Sequence, residues 1–346
     1  MRKLTYKFHH HTMGACNSGG NTDEIDLATL NYEQELRHFY VITVIFNPAR
    51  SKDRIKLYLN FRKRMEQVGV KLVTVECAYD KAPFTVTSAN YEPHNIQIRT
   101  TSPLFLKECL INRALSVLPS DAKYVCWVDF ETEFLNPNWV NDAIKALNTY
   151  KAVQLFEDIV WLSASGKEAR KEKSFAAQLP TKKGVEKAQF EQTLISAGYA
   201  WGYRVEVLKE LQGLIDFSII GNSEKIMAYC LADRADEYVP MDISENYRDT
   251  IKNWQKKAAQ NFVKGIGTIP GTVNIHFSST KRDRKSYEKW DILRENMFDP
   301  RNDLVKDSQG IYTITPDKPK LESPSSSQPG VIVFSVPSAS WALTFR

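Results

Sequence analysis

The chain has 346 residues, enough for one large domain or two small ones, and 42% of them are hydrophobic, which suffices for a sizeable core. The net charge of +5 permits an anionic substrate. The basic residues are spread along the chain, so the charge does not by itself indicate a nucleic-acid-binding protein. The five cysteines are odd in number and lack C-x-x-C spacing, which fits a reducing compartment. Since no apolar run approaches the roughly 20 residues of a membrane span, the sequence predicts an intracellular protein.

Residues 1–35 are expected to form a disordered leader. They lack the apolar core of a signal peptide. The string MGACNS, which begins at Met13, matches the N-myristoylation pattern, with Cys16 available for a second acyl chain. Membrane association by acylation therefore requires that Met13 be the initiator, because only then is Gly14 the first residue.

The region 36–135 is predicted to be the first half of the body, in which strands alternate with helices. Strands are predicted at residues 40–46, 70–77, 95–100 and 124–130. Helices are predicted at residues 52–68, between a Ser51 cap and Gly69, and at residues 104–118 before Pro119. This alternation indicates an α/β fold with a mixed, mostly parallel sheet.

The region 136–315 is predicted to be the second half of the body and is less regular. Its pattern predicts a helix at 138–150, one strand at 152–162 and a charged surface loop at 167–187, followed by helices at 204–213 and 223–238 and a strand at 271–277. Residues 316–346 read as a Pro/Ser-rich linker with a short apolar tail.

One stretch in the first half, KYVCWVDFETEF, predicts a metal site. Its apolar strand stops at Asp129, and Glu131 and Glu133 follow at alternate positions. Acidic side chains two apart at the carboxyl end of a buried strand suit Mg²⁺ or Mn²⁺. A strand end with solvated acids is the alternative, although the neighbouring Trp127 and Phe130 weigh against it.

The same string resembles the first motif of proofreading exonucleases, but the rest of the chain does not support a nuclease. Such an enzyme needs a histidine five residues before an aspartate, beside two metals. The one downstream histidine is His276, and Lys281 stands five residues after it. The motif also follows three strands rather than opening the domain, and no glycine turn follows it before Gly166.

Several stretches in order resemble glycosyltransferases of the GT-A fold, in the broad family 2-like group. They are VITVIFNPARSKDR, LVTVECAY, LFLKECLINRAL, YVCWVDFETEFLNPNWV, AGYAWGYRVEVL, GLIDFSIIGNSEKIMA and NIHFSSTKRDRKSYEKW. Each is a weak signal alone, but together they span roughly residues 39–305. The resemblance implies a Rossmann-like nucleotide-binding half joined to an acceptor-binding half.

The resemblance also implies roles for individual residues. Asp129, Glu131 and His276 would hold Mn²⁺ or Mg²⁺ against the diphosphate of a UDP-sugar donor. Glu224 would be the catalytic carboxylate, with Asp216 as its rival. The residues implied to bind the sugar nucleotide are Arg54, Glu76, Lys107, Asn112 and Trp201. Tyr199 to Tyr203 would form an aromatic floor where the donor sugar meets the acceptor.

The implied activity is an inverting, metal-dependent transfer of a sugar to a hydroxyl acceptor. Some members of the family act on hydroxymethylated DNA bases, and an intracellular location is compatible with such an acceptor. Glutamate stands at positions 131 and 224, where the family often carries aspartate. Those two departures keep open an alternative, a catalytically inactive module that binds a sugar nucleotide or nucleic acid.

Overall fold

The computed structural model describes residues 31–48, 50–88, 94–102, 104, 107–163, 165–179, 195–261, 265–276 and 288–316. The strands are β1 Phe39–Phe46, β2 Lys71–Tyr79, β3 Asn95–Thr100, β4 Tyr124–Val128, β5 Thr132–Phe134, β6 Ala152–Gln154, β7 Asp158–Leu162, β8 Glu168–Ser174, β9 Ile195–Ser196, β10 Ala200–Arg204, β11 Gly267–Thr268, β12 Thr272–Ile275, β13 Leu304–Lys306 and β14 Tyr312–Ile314. The helices are α1 Lys52–Val68, α2 Lys107–Leu115, α3 Trp139–Thr149, α4 Phe175–Gln178, α5 Val205–Leu211, α6 Ser223–Leu231, α7 Glu245–Asn261 and α8 Glu288–Glu295.

The central sheet has seven strands in the order β11-β6-β10-β4-β1-β2-β3. Strand β10 runs antiparallel to both of its neighbours, whereas the remaining pairs are parallel. The predicted α/β class with a mixed, mostly parallel sheet is therefore confirmed. From β1 the chain builds outward through β2 and β3, then returns to place β4 on the other side of β1. This reversal opens a crevice at the carboxyl ends of β1 and β4, where open α/β sheets bind ligands.

The central sheet is buried on both faces because an apolar layer covers each of them. Along β1, Tyr40 and Ile42 pack into one cluster, and Phe39 and Val41 pack into the other, as the period of two requires. The first cluster includes residues of α2, α5, α6 and α7, and the second includes residues of α1 and α3. No helix formed by the described residues is both long and apolar enough to cross a membrane.

Local signals explain the helix that enters the crevice. The Ser51 hydroxyl accepts a hydrogen bond from the Arg54 amide at 3.4 Å, and Gly69 ends α1 at a φ of 75°. A side-chain oxygen before the first turn and a glycine at positive φ after the last are the usual helix boundaries. The predicted helix is confirmed, and Arg54 lies in its first turn.

A second sheet with the order β5-β12-β7-β8-β9 stands beside the first. It corrects two predictions. The stretch 152–162 is not one strand but β6 and β7, which belong to different sheets, because Glu157 already bonds Gly271 instead of the main sheet. The predicted loop at 167–187 contains β8 and α4, since Glu172 and Ser174 alternate with exposed lysines in the register of a half-buried strand. Residues 180–187 of that predicted loop lie outside the described residues.

Other boundaries also differ from the predictions. The helix predicted at 223–238 ends at Leu231, because Asp233 adopts a φ of 57° and a separate 3-10 turn follows at Ala235–Glu237. Residues 31–36 are helical, and Tyr32 and Leu36 pack against the core, so the body begins before residue 36. The rest of the leader, including the MGACNS string, and the 317–346 tail lie outside the described residues.

The hairpin formed by β13 and β14 was not predicted. It attaches to the edge of the central sheet and to α2. The side chain of Gln309 exchanges hydrogen bonds with the backbone of Arg99 at 2.7 and 3.3 Å, and the Cys109 thiol donates to the Gly310 carbonyl at 3.2 Å. The hairpin thereby brings Lys306 within 2.9 Å of Asp216 Oδ2.

Gly202 provides a test of the packing between β10 and its neighbours. A Cβ at this position would lie 2.9 Å from Cys126 Sγ and 3.3 Å from Leu155 Cδ2. We expect Gly202→Ala to lower the free energy of unfolding by about 1–3 kcal/mol through overpacking, as measured by urea denaturation. Combined with Cys126→Ala, which removes the clashing sulfur, the loss should be smaller than the sum of the single losses. Additive losses would contradict this account of the contact.

Candidate functional site

The polar residues at the crevice come from four elements that end or begin there. Arg54 follows β1 in the first turn of α1, Lys107 opens α2, and Asp129 follows β4. Glu131 comes two residues after Asp129, and Glu224 lies in the first turn of α6. The chain thus brings together residues separated by as many as 170 positions.

Lys107 lies between two carboxylates. Its ammonium nitrogen is 2.5 Å from Asp129 Oδ1 and 2.9 Å from Glu224 Oε1. The Trp127 indole nitrogen donates to the same Glu224 oxygen at 3.4 Å. The residues predicted as a metal ligand and as the catalytic base therefore share one cation.

Arg54 forms the second ion pair of the crevice. Its Nη1 donates to Glu131 Oε1 at 2.9 Å, and both side chains are nearly buried. The guanidinium carbon also lies 4.8 Å from the centre of the Phe130 ring, within the range of a cation–π contact. Arg54 is thereby held against the residues that follow β4.

His276 approaches from β12 in the second sheet. Its backbone amide donates to the Glu131 carbonyl at 3.1 Å, so the two chain positions are adjacent. Its ring Nε2 lies 2.9 Å from Glu133 Oε2 rather than on Glu131. Among the described residues, no group of three or more His, Cys, Asp or Glu side chains is arranged to hold a metal. The ligand set Asp129, Glu131 and His276 stays a prediction.

Burial governs the electrostatics of the cluster. It raises the pKa of Glu131 and of Glu224 above the ordinary carboxylate value, although Arg54 and Lys107 respectively oppose the shift. Burial also raises the pKa of Glu108, a residue that is 3% exposed, and the negative charge of Glu224 raises this pKa further. Burial alone would lower the pKa of Lys107, but Asp129 and Glu224 more than offset that effect, so the pKa of Lys107 is raised.

The charges of the cluster suit a divalent metal. Burial raises the pKa of Glu108 to about 8, so this acid keeps its proton at neutral pH. The three carboxylates of Asp129, Glu131 and Glu224, when ionised, face the two cations Lys107 and Arg54 and leave an excess of one negative charge. Carboxylate oxygens with an imidazole form a donor set that Mn²⁺ and Mg²⁺ accept. The residues therefore fit such a metal in charge and chemistry, provided that their side chains exchange their present partners.

The loop before β10 sets the position of both Asp129 and Glu224. Tyr199 has a φ of 80°, which is strained for a residue with a side chain, and its carbonyl accepts the Asp129 amide at 2.8 Å. The Trp161 indole donates to the Tyr199 hydroxyl at 2.9 Å. At Gly198, a Cβ would lie 2.6 Å from Glu224 Oε2, so any side chain there would push against that carboxylate.

Glu76 does not face the crevice with free oxygens. Its two carboxylate oxygens accept six hydrogen bonds from the backbone amides and hydroxyls of Thr85, Val86 and Thr87. Gln97 adds two more bonds to Thr87. The structure thus places Glu76 as the residue that holds the loop beyond β2, and its predicted contact with the nucleotide stays a prediction.

Asn112 and Asp216 form a separate cluster on the other side of α2. Asn112 Nδ2 donates to Asp216 Oδ2 at 3.0 Å, and Lys306 lies 2.9 Å from the same oxygen. Asn112 also accepts the Leu214 amide at 2.8 Å and donates to its carbonyl at 3.0 Å, which fixes the segment that carries Asp216. Asp216 therefore has a cationic partner of its own and does not join Lys107.

Trp201 lies in the core rather than at an open surface. It is 2% exposed, and its indole nitrogen donates to the Ala197 carbonyl at 2.9 Å. In the sheet it stands opposite Trp127, whose ring stacks on Tyr203 with 4.9 Å between centres. Its predicted role in donor binding stays a prediction, while its observed contact is with the loop at Gly198.

Sequence reasoning missed Glu108, Gly198 and Lys306. Glu108 was noted only within the stretch LFLKECLINRAL, and its burial depends on tertiary packing. The contact of Gly198 with Glu224 and of Lys306 with Asp216 joins residues that are distant in sequence. A single sequence carries no signal for such contacts.

No protein-family model matches this sequence. No curated protein sequence matches it either. A structure of S. aureus TarS matches at 13% identity and a TM-score of 0.33, covering 68% of this chain and 60% of that one. A mutant Drosophila beta-1,4-galactosyltransferase 7 in complex with manganese, UDP-Gal and xylobiose matches at 12% identity and a TM-score of 0.36, covering 82% of this chain and 97% of that one. A putative nucleotide-diphospho-sugar transferase from Desulfovibrio desulfuricans has 12% identity and a TM-score of 0.30, over 69% of this chain and 81% of that one. Likenesses at this level carry no argument about what the chain does.

The Glu76 contacts predict how one loop responds to loss of a charge. In Glu76→Gln, one oxygen becomes an amide nitrogen that faces donors, so several charge-assisted hydrogen bonds are lost. We expect the amides of residues 85–87 to exchange with deuterium about tenfold faster, or more, because each such bond is worth about 1.5–3 kcal/mol. The exposed Glu66→Gln should leave these rates unchanged. Unaltered protection in Glu76→Gln would show that the loop is held by other contacts.

Glu108 predicts a pH dependence of stability. Because burial raises the pKa of Glu108, the folded state holds this proton more tightly than the unfolded chain does. The contribution of Glu108 to the free energy of unfolding therefore falls as the pH rises above the ordinary pKa of 4.5. Glu108→Gln should therefore make that fall less steep between about pH 5 and about pH 8, as measured by urea denaturation. The exposed Glu210→Gln on α5 is the matched control and should leave the slope as in the wild type. Equal slopes in all three proteins would contradict the buried titration.

Proposed function

We propose that the chain is a metal-dependent, inverting glycosyltransferase that moves a sugar from a UDP-sugar to a hydroxyl acceptor. The observation that carries the proposal is the cluster of buried carboxylates and cations at the switch point between β1 and β4. Asp129 and Glu131 follow β4, and Lys107 bridges Asp129 to Glu224. A leaving diphosphate and an acceptor hydroxyl require this combination of positive charge and a carboxylate.

In this proposal the Glu224 carboxylate accepts the proton of the acceptor hydroxyl. The acceptor oxygen forms a bond to the anomeric carbon as the bond from that carbon to the UDP oxygen breaks, and UDP leaves with the electron pair. Glu224 suits the role because its Oε1 is held by Lys107 and Trp127. Its raised pKa also brings the carboxylate closer to the pH at which it must accept a proton.

The chain's cations would serve the donor. A divalent metal held by Asp129, Glu131 and His276 would supply a positive charge that neutralises the departing diphosphate. Arg54 and Lys107 lie beside those ligands and would bind and orient the phosphates. Asp216, with Lys306, would contact the acceptor, whereas Asn112 and the loop held by Glu76 would border the sugar nucleotide.

The overall charge of the chain bears on the class of acceptor. A net charge of +5 is compatible with a polyanionic acceptor such as DNA that carries hydroxymethylated bases.

A second candidate function, binding without catalysis, has one observation in its favour. Each predicted metal ligand already has a partner, since Asp129 contacts Lys107, Glu131 contacts Arg54 and His276 contacts Glu133.

A UDP-release assay separates these functions. The protein is incubated with Mn²⁺ and a panel of UDP-sugars, with and without duplex DNA that contains hydroxymethylated bases. We expect UDP release that requires Mn²⁺ and one class of donor. Release that DNA does not change would remove DNA as the acceptor. Absence of release with every donor, together with retained UDP-sugar binding, would favour the inactive binding module.

Two variants test the assigned roles. Glu224→Gln should lower kcat by about 10²–10⁴-fold while donor binding persists, because a general base contributes about that much to the rate. Asp129→Asn should abolish Mn²⁺-dependent donor binding, measured by calorimetry. Asp158→Asn makes the same isosteric change at an acid that pairs with Lys173 on the second sheet, and it should leave both measurements unchanged. Donor binding that survives in Asp129→Asn would show that Asp129 is not a metal ligand.

A further inference from the structure

Lys107 occupies an unusual position for a lysine. Its side chain is 13% exposed, and the ammonium group lies within 2.9 Å of two carboxylates on different elements. Among the ion pairs of the described residues, it is the cation that contacts Asp129 and Glu224. Two neighbouring carboxylates favour the charged form of the ammonium group.

The contact with Asp129 conflicts with the predicted metal site. The ammonium nitrogen lies 2.5 Å from Asp129 Oδ1. Two cations cannot share one carboxylate oxygen at such distances without strong repulsion. A metal that binds Asp129 through Oδ1 must therefore displace Lys107 from that oxygen.

The contact with Glu224 need not be lost in that exchange. Glu224 Oε1 has Trp127 as a second donor at 3.4 Å, and Oε2 fits against Gly198, where a Cβ would lie only 2.6 Å away. Glu224 is thus fixed from both sides independently of Asp129. Lys107 can leave Asp129 and keep its 2.9 Å contact with Glu224 by a small rotation of its flexible side chain.

We propose that Lys107 is an internal counter-cation that neutralises Asp129 in the metal-free protein, yields it to the metal, and then positions Glu224. This inference rests on the proposed function, because it takes Asp129 as a metal ligand and Glu224 as the base. It goes beyond that function by assigning Lys107 two successive partners. A residue with this role weakens metal binding while it supports turnover.

Metal affinity in the absence of nucleotide tests the inference. Mn²⁺ binding is measured by calorimetry on the wild type, Lys107→Met, Lys107→Arg and Lys123→Met. Lys107→Met should bind Mn²⁺ about tenfold more tightly, because the metal no longer displaces a partly buried ion pair. Lys107→Arg keeps the charge and should bind Mn²⁺ as the wild type does. Lys123→Met removes the same charge at the opposite end of β4, where Lys123 pairs with Glu35, and should have no effect.

Turnover supplies the second readout. Lys107→Met should have a lower kcat than the wild type in spite of its tighter metal binding, because Glu224 has lost a positioning partner. Lys107→Arg should recover part of that loss. If Lys107→Met does not unfold cooperatively, Lys107→Gln, which is uncharged but still donates hydrogen bonds, must show the same tightening.

The outcomes distinguish the inference from the function on which it rests. Tighter Mn²⁺ binding in the uncharged variant supports the inference, including the case in which the wild type shows no binding. If the wild type binds Mn²⁺ as tightly as Lys107→Met or more tightly, the inference is overturned, while the proposed metal-dependent activity is not contradicted. Absence of Mn²⁺ binding in every variant overturns both.

Discussion

The structure depends on a charge imbalance at the switch point of the central sheet. Burial makes every ionised carboxylate costly unless a cation lies beside it. Asp129, Glu131 and Glu224 are tolerated because Lys107 and Arg54 reach them from the starts of two helices. Glu108 is tolerated beside them because burial raises its pKa, so it keeps its proton. Three carboxylates beside two cations leave one negative charge in excess, which is the physical reason to expect a further cation at this place.

The surrounding elements keep these groups in place. Strand β10 runs against its neighbours, so the chain enters the sheet directly after Gly198 and Tyr199, at the same edge where β4 ends. The positive φ of Tyr199 costs free energy, of order 1–3 kcal/mol for such a residue. In this conformation the Tyr199 carbonyl accepts a hydrogen bond from the Asp129 amide, and the neighbouring Gly198, which has no side chain, leaves room for Glu224. Strain in the loop is thus coupled to the geometry of two charged side chains.

The sequence predicted those features that depend on neighbours along the chain. The period of two in β1, the serine and glycine that bound α1, and the acid pair after β4 are all local patterns. The stretch 152–162 was misread because a continuous apolar run looks the same whether it stays in one sheet or crosses to another. Likewise, the many charged residues of β8 suggested a loop. In the structure Lys171 and Lys173 are exposed, while Glu172 and Ser174 are buried. The partners of Glu76 and Lys107 required tertiary contacts that no local pattern encodes.

The hairpin of β13 and β14 has a consequence for the order in which the molecule is made. Its Lys306 completes the surroundings of Asp216, and its Gln309 joins the edge of the central sheet at Arg99. Every strand of that sheet precedes the hairpin in the chain, so the sheet is synthesised before the ribosome releases residue 306. Lys306 reaches Asp216 from 90 residues further along the chain, so this ion pair cannot form until residue 306 has been synthesised. The surroundings of Asp216 are therefore completed only after every strand of the central sheet has been made.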